Sequence, residues 1–257
     1  MNISVLQNAD GIIMDPYPHI VINNALPKEL YLELEAAFPE EEICKTEPHD
    51  NGVTYRYKSD MFFETDHHSS LWKEFFEYHT SRAFFNEVNA LFKPALDEYY
   101  PGLYEKLVEG NCSIRGVPAP HLLMRSEYVT DCQFVVHKPV EISTRSPHLD
   151  NPVEIYAGLL YMKKHNDSSI GGDFRLHEAI ADIKEVDKKL GRQVDDSLVR
   201  PAKVVKYQPN QFCMFLNVPN SVHSVTPRIT PVQTRRSVNI IGEFNNGRRM
   251  WKVIEKK

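Results

Sequence analysis

The chain has 257 residues, 42% hydrophobic and 25% charged, with only 11 Gly and 17 Pro. This excludes collagen-like, disordered and low-complexity proteins and predicts one large domain, or a core with a substantial appendage. Thirty basic against 35 acidic residues give a formal net charge of -5; with no dominant basic stripe, nucleic acid and membrane surfaces are not expected partners.

No apolar run approaches the roughly 18 residues of a membrane span. Residues 1–10 contain no Lys or Arg and no apolar h-region, so no secretory signal is expected there. The four cysteines, Cys44, Cys112, Cys132 and Cys213, are scattered without a C-x-x-C pair. That predicts neither a zinc–thiolate site nor a dense disulfide framework, and a reducing, cytoplasmic setting.

In chain order, the β-branched run HIVIN at 19–23, behind Pro16 and Pro18, predicts a first strand. Pro27 and Pro39 bracket a predicted helix over 28–38, with Leu30, Leu32, Leu34 and Phe38 along its stripe. Residues 40–66 are charged and irregular and read as loop. From 69 to about 107 the pattern is helical, interrupted at Pro101-Gly102. Its aromatics (Trp72, Phe75, Phe76, Phe84, Phe85, Phe92) recur at core spacing, which makes them packing residues rather than a cofactor box.

Beyond 113 the period shortens. Predicted strands are 121–124, 133–136, 155–162, 173–176, 203–207, 211–217 and 236–244. Short strands at this spacing indicate an all-β sandwich or barrel. The polar stretch 178–200, with a helical look over 179–190, reads as an insertion between two strands. The expected organisation is a mixed, mostly helical support over 1–112, a β core over 113–247, and a basic tail over 248–257, packed as one unit. Arg248-Arg249 and Lys256-Lys257 read as solvated tail.

No G-x-S-x-G, P-loop, G-x-G-x-x-G or H-E-x-x-H motif is present. What remains is histidine with carboxylate. H-x-D occurs at His148-Leu149-Asp150 and at His165-Asn166-Asp167, against about 1.5 H-x-[DE] triplets expected by chance. Context separates them: His165 lies in a turn-rich stretch ending at Gly171-Gly172, whereas His148 leads into the strand at 155–162. Downstream, in order, come Gly171-Gly172 with Arg175-Leu176, then Pro209 opening a strand, then His223-Ser224-Val225, then Arg235-Arg236-Ser237. On an extended segment residues i and i+2 share a face, so His148 and Asp150 project together. Two imidazoles and one carboxylate occupy one face of an octahedral metal and leave three positions open.

Over about 115–245 the chain resembles the iron(II)- and 2-oxoglutarate-dependent oxygenases, in their prolyl-hydroxylase-like branch. The likeness is carried by His148-Leu149-Asp150-Asn151-Pro152, Gly158-Leu159-Leu160-Tyr161-Met162 and Gly171-Gly172. The resemblance implies a double-stranded β-helix (a jelly roll) with helices packed outside, a mainly β fold of the α+β class. It also implies iron(II) held by His148, Asp150 and His223, with 2-oxoglutarate and O2 as cosubstrates and ascorbate as a helper. The distal carboxylate of 2-oxoglutarate would be clamped by a cation on the strand after the distal histidine. Arg235 with the Ser237 hydroxyl fits, because the two share a face; a one-residue slip would exchange Arg235 for Arg236. Tyr161 matches a family tyrosine that bonds the same carboxylate. Arg145, Asn151 and Lys138 are candidate substrate contacts.

The activity implied is hydroxylation of an unactivated C–H bond. A carboxylate ligand leaves no vacancy for halide, which argues against halogenation. The substrate would be a peptidyl residue (proline first), a free amino acid or a small metabolite. The alternative is a non-catalytic jelly-roll module that binds a metal or another ligand.

Overall fold

The computed structural model describes residues 2–49, 52–117, 126–140, 145–183, 185–187, 192–230, 233–252 and 254–256. The N-terminal part contains β1 (His19–Asn23), α1 (Lys28–Ala36), α2 (Glu40–Ile43), β2 (Pro48–His49), β3 (Thr54–Tyr57) and α3 (Ser59–Phe63). Four helices follow, α4 (Ser70–His79), α5 (Arg82–Leu91), α6 (Lys93–Tyr99) and α7 (Leu103–Glu109), and then β4 (Cys112–Ile114). Next come β5 (Tyr128–His137), β6 (Arg145–His148), β7 (Glu154–Tyr161), β8 (Phe174–Ala179) and β9 (Glu185–Asp187). The chain closes with β10 (Val199–Val205), β11 (Gln211–Leu216), β12 (His223–Val225), β13 (Arg235–Phe244) and β14 (Ile254–Lys256).

Two mostly antiparallel sheets result. The larger runs β1-β11-β7-β13-β5-β3-β2, with β4 alongside β5; the smaller runs β10-β8-β12-β6. On the larger sheet Ser237 lies opposite Val135 on one side and Tyr161 on the other. Side chains alternate along a strand, so this register sorts the sheet into two faces. Arg235, Ser237, Asn239 and Ile241 share the inner face with Val135, Ala157 and Leu159, and all of them line a cavity between the two sheets.

The outer face is apolar. Phe134, Val136, Leu160, Val238 and Ile240 are fully buried there. The Phe134 ring packs 4.6 Å from Trp72, 4.8 Å from Phe76 and 5.0 Å from Phe38, centroid to centroid. Burying such a ring contributes about 1.5–3 kcal/mol. The helices therefore act as a buttress that covers the back of the sheet whose front carries the cavity. Their starts are set locally: the Ser69 and Ser81 hydroxyls accept the Trp72 and Phe84 N–H groups at 3.3 and 3.2 Å, satisfying donors that a helix N-terminus leaves free. Among the described residues no helix is long and apolar enough to cross a membrane.

Three expectations change. Residues 40–66 are not loop; they supply α2, β2, β3 and α3, and β3 extends the larger sheet beside β5. The stretch 178–200 forms no helix among its described residues. β8 runs to Ala179, β9 follows, and a 3-10 turn spans Asp196–Leu198. The tail is solvated only in part: Arg248 and Arg249 are exposed as expected, but Met250 and Trp251 are buried, Trp251 Nε1 donates to Asn217 Oδ1 at 2.9 Å, and β14 pairs in parallel with β9. The first strand expected at 19–23 is present as β1, an edge of the larger sheet against β11. The strand expected at 121–124 lies outside the described residues.

Candidate active site

β6 and β12 lie side by side in the smaller sheet, with His148 directly opposite His223. Their ring centroids are 4.2 Å apart. Each ring is oriented in the same way: His148 Nδ1 donates to the Ser146 carbonyl at 2.8 Å and His223 Nδ1 to the Ser221 carbonyl at 3.0 Å. A carbonyl only accepts, so both Nδ1 atoms carry the proton and both Nε2 lone pairs are free. Those two Nε2 atoms converge on Asp150 Oδ1, at 3.8 Å from His148 and 3.5 Å from His223. The three ligand atoms lie within 4.8 Å of one another.

For His148 the electrostatics agree with that tautomer. Burial, then the neighbouring His223 and Arg145, push the His148 pKa well below its ordinary value, so the ring is neutral. Asp150 is held below the usual carboxylate range. Burial would raise it, but His223 by charge and hydrogen bonding, and then His148, outweigh that.

The turn after Asp150 is built by Asn151-Pro152. Asn151 O accepts the Glu154 N–H at 2.8 Å, and Asn151 Oδ1 accepts the Val153 N–H at 3.4 Å. Asn151 thus shapes the corner while also lining the cavity. On the outer side of β6 the stretch 178–200 returns to pair with it. Val194 N donates to Pro147 O at 2.8 Å, Leu149 N donates to Arg192 O at 3.2 Å, and Gln193 bridges His148. The expected insertion is therefore a backbone partner of the strand that carries His148.

The cavity measures about 380 Å³. At one end lies Arg235, its guanidinium 5.0 and 5.2 Å from the Tyr161 and Tyr207 rings. Its Nε donates to Gly172 O at 2.9 Å, while its Nη2 is buried without a hydrogen-bond partner. Arg236 points to the opposite face, where Nε donates to Met162 O, Nη2 pairs with Glu35 at 3.3 Å, and the guanidinium covers Phe38. Arg236 is thus neither a surface charge nor a cavity residue. Ser237 lines the cavity and its hydroxyl donates to Asn239 Oδ1 at 3.2 Å. Tyr161 is fully buried beneath Arg235, with a hydroxyl that has no hydrogen-bond partner among the described residues. Burial raises its pKa, so it remains a phenol able to donate.

Arg145 lines the cavity. Lys138 does not: it is exposed on the other face of β5, its Nζ 4.7 Å from the Tyr55 ring, because the residue after His137 alternates outward. His165 is exposed and paired with Glu35 at 2.9 Å, away from the cavity.

Arg228, Glu154 and Arg56 are among the cavity residues without a counterpart in the sequence reading. Arg228 is 1% exposed, with Nε and Nη1 unpartnered and Nη2 donating to Gln233 O. Glu154 reaches the inner face through a bulge: β13 steps from Gly242 to Glu243 while β7 steps from Tyr156 to Glu154, leaving Ile155 extra. Bulges of this kind re-aim a side chain. Arg56 on β3 faces Val135, its Nη1 donating to Gln133 Oε1 at 3.3 Å and its Nε buried without a partner.

No protein-family model and no curated protein matches the chain. Solved structures do. A prolyl-4-hydroxylase from Pseudomonas putida aligns at 12% identity and a TM-score of 0.49, over 88% of this chain and 92% of its own. The viral collagen prolyl hydroxylase from Paramecium Bursaria Chlorella virus-1 aligns at 10% identity and 0.41, over 88% and 95%. A 2OG-Fe(II) oxygenase family oxidoreductase from Burkholderia pseudomallei aligns at 11% identity and 0.43, over 90% and 87%.

Proposed function

We propose that the protein is an iron(II)- and 2-oxoglutarate-dependent dioxygenase that hydroxylates an unactivated C–H bond, built on a double-stranded β-helix. The observation that carries this is one cavity with two chemistries: two imidazole Nε2 atoms and a carboxylate oxygen converge on its wall, and Arg228 and Arg235, each with an unpartnered N–H group, are among the residues that line it. The donor set fits iron(II), since imidazole and carboxylate suit that ion and one face is left open. The arginines fit a carboxylate, because buried guanidinium N–H groups without acceptors are costly unless a ligand supplies them.

In this reading His148, Asp150 and His223 would hold the metal. Arg235 would take the distal carboxylate of 2-oxoglutarate, aided by Arg228 and by the Ser237 and Tyr161 hydroxyls. Bound there, iron(II) and 2-oxoglutarate supply oxidation by O2: one oxygen atom enters the substrate C–H as hydroxyl, the other leaves in succinate, and carbon dioxide is released. The chain's part is positional. The Ser146 and Ser221 carbonyls fix the imidazole tautomers, and Tyr161 and Tyr207 wall the Arg235 guanidinium off from water.

The test is a thermal shift with Mn(II) and 2-oxoglutarate, followed by succinate release with iron(II) and ascorbate. Stabilisation by 2-oxoglutarate only when metal is present supports the reading. No shift and no succinate would sink it. Metal binding without any response to 2-oxoglutarate would favour a non-catalytic metal-binding barrel.

A further inference from the structure

The rest of the cavity is not apolar. Glu154 and Arg56 both line it, yet no ion pair joins them and neither pairs with another charge among the described residues. Glu154 has no side-chain hydrogen bond there, and Arg56 keeps one buried N–H free. An unpartnered acid and an unpartnered base inside one cavity are costly in the empty protein and are compensated by a ligand that carries both opposite charges.

The surroundings of Glu154 sharpen the sign. It faces Glu243 across the bulge. Glu243 and Asp131 already share Arg115, through Arg115 Nε to Glu243 Oε1 at 2.8 Å and Nη1 to Asp131 Oδ2 at 3.0 Å. Two carboxylates against one guanidinium leave this end negative before Glu154 is counted. Burial, then Asp150 and Glu243, raise the Glu154 pKa against the smaller opposing pull of Arg115 and Arg56. Arg56, on β3, offers the complementary positive group, with only the neutral Gln133 amide as a partner.

Size points the same way. A cavity of about 380 Å³ lies near the lower end of ligand pockets, roughly 300–1,000 Å³, and it must also admit 2-oxoglutarate. We propose that the substrate is a free α-amino acid or a similarly small zwitterion, its ammonium on Glu154 and its carboxylate on Arg56. This rests on the oxygenase reading and selects one of the substrate classes left open by the sequence.

The experiment uses the whole protein loaded with Mn(II) and 2-oxoglutarate without O2, titrated by calorimetry with the standard L-amino acids. The best binder is then compared with its N-acetyl and carboxamide derivatives, and with proline-rich peptides. Succinate release with iron(II) and O2 is measured for the same compounds. At least one free amino acid is expected to bind and to stimulate succinate release, with either blocking group lowering affinity by about 10- to 100-fold, the effect of losing one charge-assisted contact. Glu154→Gln is expected to abolish the preference for the free amine over its N-acetyl form, and Arg56→Gln the preference for the acid over its amide. Equal binding of free and blocked forms would overturn the proposal, as would peptides alone being bound, or no amino acid being bound by protein that does take up 2-oxoglutarate. Failure to take up 2-oxoglutarate at all would remove the oxygenase reading and this proposal with it. The comparison of blocked and free ligands is made on the unmodified chain, so it stands even if a variant does not fold.

Discussion

Arg228 and Arg235 meet at Gly172. A Cβ placed on Gly172 would lie 3.1 Å from Arg235 Cδ and 3.4 Å from Arg228 Cγ, so the two arginine stems pass the same glycine on their way to the cavity. Their charges disfavour protonation of His137, whose pKa burial and then Arg235 and Arg228 lower to about 4. The pair has no described carboxylate in contact. For that reason Arg228→Met is expected to weaken 2-oxoglutarate binding by about 10- to 100-fold, the value of a charge-assisted hydrogen bond, and Arg235→Met by at least as much. Calorimetry with Mn(II) checks this; an Arg228→Met protein that binds 2-oxoglutarate as tightly as the parent would show that Arg228 is only a packing residue.

The Gly171-Gly172 pair acquires a physical reason from the same contact. Both glycines have φ near +80°, at +85° and +78°, a region that costs a residue with a Cβ about 1–2 kcal/mol. At Gly171 the Cβ would also lie 1.9 Å from the Pro227 carbonyl oxygen, which backbone cannot yield cheaply. Gly171→Ala is therefore expected to lower the melting temperature more than Gly172→Ala. Gly172→Ala should instead weaken 2-oxoglutarate binding by displacing Arg235. Melting curves and 2-oxoglutarate titrations on the two variants separate these effects; the reverse ranking would contradict the geometry.

Asp150 stands between two imidazoles that are oriented by backbone and not by Asp150 itself. Removing it should leave both rings in place. Asp150→Ala is expected to retain its far-UV circular dichroism while losing divalent-metal affinity by about 100-fold or more, beyond the loss typical of a supporting residue. Metal affinity is read by Mn(II) electron paramagnetic resonance. Unchanged affinity would reject Asp150 as a ligand.

Much of this geometry was legible in the sequence where a residue's role follows from spacing. His148 and Asp150 were visible because H-x-D on extended backbone keeps one face, and Arg235 was separated from Arg236 by its parity with Ser237. The helices α4 and α5 were visible from their aromatic stripe. Glu154 was hidden because parity counts across a strand only until a bulge, and the extra Ile155 inverts it. Arg228 sits in irregular chain between β12 and β13, where no period exists. Arg56 was lost because its strand is only four residues long and lies in a charged stretch that reads as loop, where its pairing with β5 leaves no local signal. The helical look of 179–190 misled for a related reason: β9 finds its partner in β14, about seventy residues later, and local charge patterning cannot register a partner so far away.

His79 links the buttress to pH. It is fully buried on α4, where Nδ1 donates to Phe75 O at 2.7 Å and Nε2 accepts the Val5 N–H at 3.2 Å. Both ring nitrogens are thus engaged in a way only the neutral tautomer satisfies. Burial lowers its pKa to about 3, against an ordinary 6.5 in the unfolded chain. The unfolded state therefore takes up the proton first. The stability contributed by neutral His79 is complete above about pH 6.5 and falls by about 1.4 kcal/mol per pH unit as the pH drops from there toward 3. Urea unfolding at pH 7, 6 and 5 should show this slope, and His79→Gln should reduce it by about one proton's worth while lowering stability at pH 7. A variant with the parent's full slope would mean that His79 is already protonated in the folded protein, and that the Val5 N–H has another acceptor.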